Sequence, residues 1–386
     1  MEFNELSITL TKKLSKETKK KEGIYFTPKS VIKKVVDFIL ERKENPEILE
    51  PSCGSCQFVE YLQEKKQNKI TCIEKNEIIY NSMKEKYNII CDDFLKHEFK
   101  NKFDVIVGNP PYFVMPKKDV EKSYLKYFTG RPNIYILFII KCFDLLNEGG
   151  VLGFVLPTNF LNCIYYNELR KYLNEYLILD ISISKDQFLE TCQETCIFII
   201  QKTKKQSDFF IKFDDIILFK PKEDIPKIIE LKENSTTIHK LGCKLNVGKV
   251  VWNEVKNNLT DDSNYPLLIY NSDFKNNILD IQTYKDKLKK NYINKKGSTD
   301  TVLLVNRGYG TGKYNFNYCL IEKDNPLIKN GYLIENHCII INGKMPTLKL
   351  IINSFENKKT KEFINLVFSN NAINIEEFLH ILPIYK

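Results

Sequence analysis

Four consecutive residues, Asn109-Pro110-Pro111-Tyr112, are of the types that can activate a planar amine. The side-chain oxygen of Asn109 is an acceptor, and two successive prolines restrict the backbone so that the Pro110 carbonyl stands beside it. An exocyclic amino group held between those oxygens donates both hydrogens. Its nitrogen is then drawn from planar toward tetrahedral, and its lone pair becomes available to attack carbon. Tyr112 adds a flat face on which the ring carrying the amine can stack. An ordinary loop after a strand explains the tetrapeptide as well, because Asn and Pro are frequent turn residues. The upstream residues must decide.

The elements that position these groups are short apolar runs. Phe103, Val105, Ile106 and Val107 read as a buried strand that delivers the tetrapeptide at its C-terminal end, where open α/β sheets bind ligands. Ile48-Leu49 is a second such strand. It turns through Glu50-Pro51-Ser52-Cys53-Gly54-Ser55-Cys56 into a helix bearing Phe58, Val59 and Leu62, so that a nucleoside can lie against backbone at a helix N-terminus. A third strand, 69–73, ends in Glu74, placed to accept hydrogen bonds from a ribose diol. A fourth, Ile89-Ile90-Cys91, ends in Asp92-Asp93-Phe94, suited to an adenine amine and its ring. Upstream, Val31, Ile32, Val35, Val36, Ile39 and Leu40 recur at helical spacing behind Thr27-Pro28. Thr27 is expected to be the N-cap with Pro28 at the first helical position, leaving N–H groups and the hydroxyl for a ligand carboxylate; a cap and nothing more fits that segment equally.

The order Tyr25-x-Thr27-Pro28, Glu50-Pro51-x-x-Gly54, Glu74, Asp93-Phe94-Leu95, Asn109-Pro110-Pro111-Tyr112 resembles the S-adenosylmethionine-dependent DNA adenine-N6 methyltransferases in the gamma arrangement of motifs. Residues 133–162, with Gly149-Gly150 and Pro157-Thr158-Asn159-Phe160, match as a helix, a Gly-Gly turn, a strand and a proline-containing exit; the resemblance spans residues 23–202. It implies an α/β fold: a Rossmann-like class I methyltransferase sheet with helices on both faces, followed by a C-terminal mixed α+β target-recognition domain. The implied border lies between a catalytic domain, 1–238, and a DNA-binding domain, 239–386. The implied cofactor is S-adenosyl-L-methionine, with Thr27, Glu50, Pro51, Ser52, Cys53 and Gly54 at its methionine end, Glu74 at the ribose, and Asp93 and Phe94 at the adenine. Asn109, Pro110, Pro111 and Tyr112 are the implied catalytic group. One departure stands out. Where many members have a second glycine in the cofactor loop this chain has Cys56, whose side chain either crowds the cofactor or packs beneath it. Phe198, on a late strand, is a candidate for the aromatic residue that stacks on a flipped base.

Composition fits this reading without proving it. The 386 residues suffice for two domains. A formal charge of +9 favours a polyanionic partner such as double-stranded DNA, although a Lys-rich solvated surface gives the same balance. Eleven cysteines, an odd number, do not form a disulfide framework and point to a reducing cytoplasm. Cys53-x-x-Cys56 has no second pair at matching spacing, Cys192 and Cys196 being spaced differently, so no metal is expected. A charged N-terminus excludes a signal peptide, and no apolar run reaches membrane length, so no membrane association is expected.

In the second half, Arg307 and Lys313 flank Gly308-Tyr309-Gly310-Thr311-Gly312. The loop is no Walker A motif, and DNA contact or a plain hairpin turn explains it equally. The resemblance implies a monomeric modification enzyme working alongside a cognate restriction endonuclease. RNA adenine or protein glutamine as substrate, or a DNA-binding module that retains the fold without turnover, are the alternatives.

Overall fold

A computed structural model of the protein describes residues 2–184, 188–189, 194–307, 316–368 and 373–386. The chain divides into two compact units, Met1–Ile225 and Pro226–Lys386.

In the first unit the predicted apolar runs become parallel strands β1 (Ile48–Glu50), β2 (Ile70–Glu74), β3 (Ile89–Cys91) and β4 (Phe103–Gly108). Three further strands, β5 (Leu146–Pro157), β6 (Tyr176–Ser184) and β7 (Thr195–Lys204), complete a seven-stranded sheet in the order β3-β2-β1-β4-β5-β7-β6, with β7 antiparallel to both neighbours. The order reverses between β1 and β4. Such a switch point opens a crevice at the carboxyl ends of the strands.

Helices cover both faces, and side-chain alternation along the strands assigns them. Val105, Val107, Val151 and Val155 face α1 (Lys29–Leu40) and α2 (Gln57–Glu64), whereas Ile106, Leu152, Phe154 and Leu156 face α3 (Ile134–Leu145). The spacing of α1 needs a sheet residue without a side chain. A Cβ on Gly153 would lie 2.5 Å from Ile39 and 2.9 Å from Val35. Burial is complete over the stretch 134–140 of α3, which is why those seven residues are apolar on every side. No described helix is long and apolar enough to cross a membrane.

Two local expectations change. Gly149-Gly150 is not a turn between helix and strand: both residues lie within β5, where the pairing with β4 shifts register between Phe103 and Val105 and Gly149 takes φ +73°. Pro28, not Thr27, occupies the N-cap of α1, and it makes no side-chain cap bond. Glu2 does that work. Its carbonyl accepts from Lys29 N at 2.7 Å and its carboxylate from Ser30 N at 3.1 Å, so these amides are not free for a ligand.

The second unit contains two four-stranded sheets and three C-terminal helices, Met345–Glu356, Lys358–Val367 and Ile375–His380. Lys244–Val247, Cys338–Asn342, Val302–Asn306 and Tyr318–Ile321 form one sheet, all antiparallel. The unit begins 13 residues before the predicted border at 238/239. Residues 226–238 go with it because Ser235-Thr236 pair with Ile384-Tyr385 and the Tyr385 hydroxyl donates to Leu231 O at 2.6 Å.

Candidate functional site

Parallel pairing carries four chemically active turns to one edge of the sheet. Glu50 and Glu74 close β1 and β2, Asp92-Asp93 follow β3, and Asn109 follows β4. The turns are bonded to one another. Gly54 N donates to Glu74 Oε2 at 2.9 Å, Cys53 N to Ile73 O at 2.9 Å, Asp92 N to Glu74 O at 3.2 Å, and Ser52 Oγ to Asn109 O at 3.4 Å.

The loop after β1 is built for close approach. Gly54 has φ +52°, which favours glycine, and a Cβ there would lie 3.7 Å from the Phe26 ring. Cys56 is also left-handed, at φ +58°, a strained conformation for a residue with a Cβ. That explains why a glycine would be at home there. The Cys56 side chain is turned into the core. It is fully buried beneath the loop with Cys53, Cys72, Val59 and Met83. Among the described residues no group of three or more His, Cys, Asp or Glu side chains is arranged to hold a metal.

Both glutamates at this edge are buried. Burial and the neighbouring Cys56, Cys72 and Glu74 push Glu50 well above the usual carboxylate range, and its Oε2 is enclosed without a hydrogen-bond partner among the described residues. An orphaned buried acceptor is what a donor on a bound ligand would satisfy. Burial also pushes Glu74 up to about 6, even though the N–H groups of Asn76 and Gly54 favour its charged form. Each Glu74 oxygen already accepts one backbone N–H, and each keeps a further lone pair for a sugar hydroxyl. Thr27 is buried, as is Phe26 before it.

Asp93 and Phe94 separate in role. Asp93 accepts from Leu95 N at 3.1 Å and pairs with Lys75 at 2.9 Å, so it lies at the strand ends. Phe94 turns inward. It is 2% exposed, 4.8 Å from Phe138 and 5.9 Å from Phe99 by ring centroids, and presents no open face for an adenine ring. Lys141, which interrupts the apolar run of α3, donates to Leu95 O at 3.0 Å and His97 O at 2.7 Å and so ties this turn to the helix. A lysine inside an otherwise buried helix was the available signal.

The tetrapeptide itself is held from two sides. Asn109 Nδ2 donates to Tyr25 O at 3.1 Å, which fixes the amide so that Oδ1 faces the opposite way. Tyr112 donates its hydroxyl to that Oδ1 or to Val155 O, the latter at 2.7 Å. Its ring, half-buried, stacks on Tyr25 at 6.4 Å with 27° between planes and meets Tyr135 edge-on at 5.9 Å. Burial of the hydroxyl pushes the phenol well above its usual range, so it remains protonated. No donor among the described residues takes the Pro110 carbonyl. Gly23, at φ +66°, completes the wall: a Cβ there would be 2.4 Å from Tyr112 N. Neither Gly23 nor the Tyr25 carbonyl could be assigned this role from spacing, since backbone atoms of a distant loop leave no side-chain signature.

Phe198 is fully buried, stacked on Phe219 at 5.8 Å and packed against Phe160, so it faces the core rather than a ligand. In the second unit Arg307 follows the strand Val302–Asn306, its N–H bonded to His337 O at 2.8 Å and its Nε enclosed without a partner among the described residues. Lys313, with the glycines before it, and Cys192 lie outside the described residues.

Residues 4–188 match the family described as Eco57I restriction-modification methylase. Over 99% of both chains the sequence is 30% identical to the Type II methyltransferase M.CvrRI of Paramecium bursaria Chlorella virus XZ-6E. It is also 30% identical to the modification methylase CviBIII of Paramecium bursaria Chlorella virus NC1A, covering 100% of this chain and 99% of the other. Among solved structures, a type I restriction-modification methyltransferase subunit from Streptococcus thermophilus superposes on 54% of this chain and 53% of its own, with a TM-score of 0.41 and 19% identity.

Proposed function

The chain belongs to the Eco57I-type restriction-modification methylase family, and on that premise we propose that it methylates N6 of an adenine flipped out of duplex DNA within one short sequence. The methyl donor is S-adenosyl-L-methionine. The observation that carries the choice of an amine is that one turn offers two acceptors, Asn109 Oδ1 on an amide oriented by the Tyr25 carbonyl and a Pro110 carbonyl to which no described residue donates.

The crevice residues fit the donor. Glu50 offers its orphaned oxygen to the cationic methionine end, Gly54 permits close approach, and the Glu74 carboxylate takes the ribose hydroxyls. Bound there, S-adenosyl-L-methionine supplies an electrophilic methyl carbon on a sulfonium, already a good leaving group. What the protein adds is alignment and exclusion of water. Asn109 Oδ1 and Pro110 O accept the two amine hydrogens and direct the nitrogen lone pair. As the N–C bond forms, positive charge develops on nitrogen, and the same two oxygens stabilise it until a proton leaves. Flipping the base costs a few kcal/mol, part of which stacking on Tyr112 recovers. The second unit reads the target sequence, and the enzyme protects DNA against a cognate restriction endonuclease.

Methyl transfer from labelled S-adenosyl-L-methionine to unmethylated duplex DNA, followed by single-molecule sequencing for modified bases, tests the reading. N6-methyladenine within one motif is the expected result. Label in RNA or on protein glutamine, with none in DNA, overturns it.

A further inference from the structure

The segment that leaves Tyr112 has no assigned part in this chemistry. Between Pro116 and Pro132 it carries Lys117, Lys118, Lys122, Lys126 and Arg131 against Asp119 and Glu121, a marked local excess in a chain of net charge +9. All five cations are exposed. None forms an ion pair with a described residue, whereas Lys29, Lys65, Lys69, Lys75 and Lys86 of the same unit are each bridged to a carboxylate.

A charge run is ordinarily a solvated face, and a floppy one would carry little argument. This segment is anchored. Met115 N donates to Pro132 O at 2.9 Å and Ile134 N to Phe113 O at 2.8 Å, which closes the loop at its base. Val120 and Phe128, 7% and 3% exposed, are sunk into the core beside α3, and Thr129 N donates to Tyr165 O at 2.9 Å. Two 3-10 turns, Lys117–Asp119 and Lys122–Tyr127, shape the stretch between the anchors. The result is a braced loop that begins at the residue after Tyr112 and presents cations with no carboxylate partner among the described residues, Lys126 lying over the Tyr127 ring at 4.9 Å.

We propose that loop 113–132 grips the phosphate backbone of the duplex beside the flipped adenine, holding the strand while the base occupies the site. The inference rests on the reading of duplex DNA as substrate. Its chemistry is that of backbone positioning: exposed Lys and Arg neutralise phosphates, release counterions and carry no sequence information. A rigid mount lowers the ordering cost on binding, and proximity to the tetrapeptide places the grip where the strand is most distorted.

The test compares the full-length protein with the fourfold variant Lys117→Ala/Lys118→Ala/Lys122→Ala/Arg131→Ala, using a fluorescein-labelled duplex that contains the methylated motif. Anisotropy across a salt series yields the slope of log Kd against log salt. The slope should fall by about 0.9 for each phosphate no longer neutralised, hence by roughly three to four in the fourfold variant. Affinity for S-adenosyl-L-methionine should be unchanged. A variant with Lys117, Lys118 and Lys122 all replaced by Arg should keep the native slope. If the fourfold variant no longer binds the cofactor, the single variants Lys118→Ala and Lys122→Ala serve instead, each expected to remove about 0.9 from the slope. An unaltered slope in a variant that still binds cofactor overturns the proposal while leaving DNA methylation standing. A native protein that methylates no DNA removes the substrate reading and this inference together.

Discussion

The hydroxyl of Tyr112 rests on the side-chain oxygen of Asn109, the atom that a substrate amine would need. A second acceptor, Val155 O, lies 2.7 Å from the same hydroxyl. The phenol can therefore give its hydrogen to the sheet and release Asn109 while its ring stays stacked on Tyr25. If the ring carries the function, Tyr112→Phe should retain kcat/KM within a few-fold. Tyr112→Ala, which removes the stacking surface, should lose about 1–3 kcal/mol, or roughly five- to 150-fold in kcat/KM for DNA. 2-Aminopurine fluorescence at the target position reads base flipping directly. A Phe variant as impaired as the Ala variant would assign the role to the hydroxyl instead.

Asn109→Ala removes one of the two acceptors that reshape the amine. Losing one preorganised polar group at the reacting centre costs about a hundred- to a thousandfold in kcat. Calorimetry should show near-native cofactor affinity, since Asn109 Nδ2 bonds only to the Tyr25 carbonyl. A variant with native turnover would rule out the assigned role.

Glu74 should impose opposite pH dependences on binding and on stability. Burial raises its carboxyl to about 6 from an ordinary 4.5. Ribose hydroxyls donate best to the ionised form, so affinity for S-adenosyl-L-methionine should increase as pH rises through about 6, and Glu74→Gln should flatten that rise. Stability runs the other way. The native carboxyl keeps its proton to higher pH than the unfolded one, so its contribution is fully present below about 4.5 and is lost as pH rises through about 6. Calorimetric titrations and cofactor-free melting curves between pH 4.5 and 7, of native and Gln proteins, check both signs. Parallel rather than opposite trends would exclude Glu74 as the ribose acceptor.

Gly23→Ala forces a Cβ to within 2.4 Å of Tyr112 N at a φ of +66°. Strain of about 1–2 kcal/mol from the left-handed backbone comes on top of the clash. Melting temperature and kcat should fall together. An Ala variant as stable and active as the parent would mean that the wall formed by residues 23–25 does not hold the tetrapeptide.

How much of this was readable in the sequence depended on whether a residue's role is local. Glu50, Glu74 and Asn109 stand at the ends of short apolar runs, and parallel pairing alone brings such strand ends together. Asp93 followed by the same logic; Phe94 did not, because an aromatic residue after a strand serves a ligand or the core equally well, and α3 supplies the core. Long-range backbone bonds left no trace. Nothing in residues 23–28 states that Tyr25 O meets Asn109, and nothing in Glu2 states that it caps α1. The sequence border at 238/239 falls after the structural one because Ser235-Thr236 carry no sign of their pairing with Ile384-Tyr385.

Cys56 adds a consequence of a different kind. Seated under the cofactor loop in a left-handed turn, with Cys53 and Cys72 for neighbours, its thiol is sealed from solvent for as long as the loop lies flat. The rate at which a disulfide reagent reaches these three sulfurs thus becomes a clock for lifting of the loop, and a ligand that pins the loop would slow that clock without touching a single thiol.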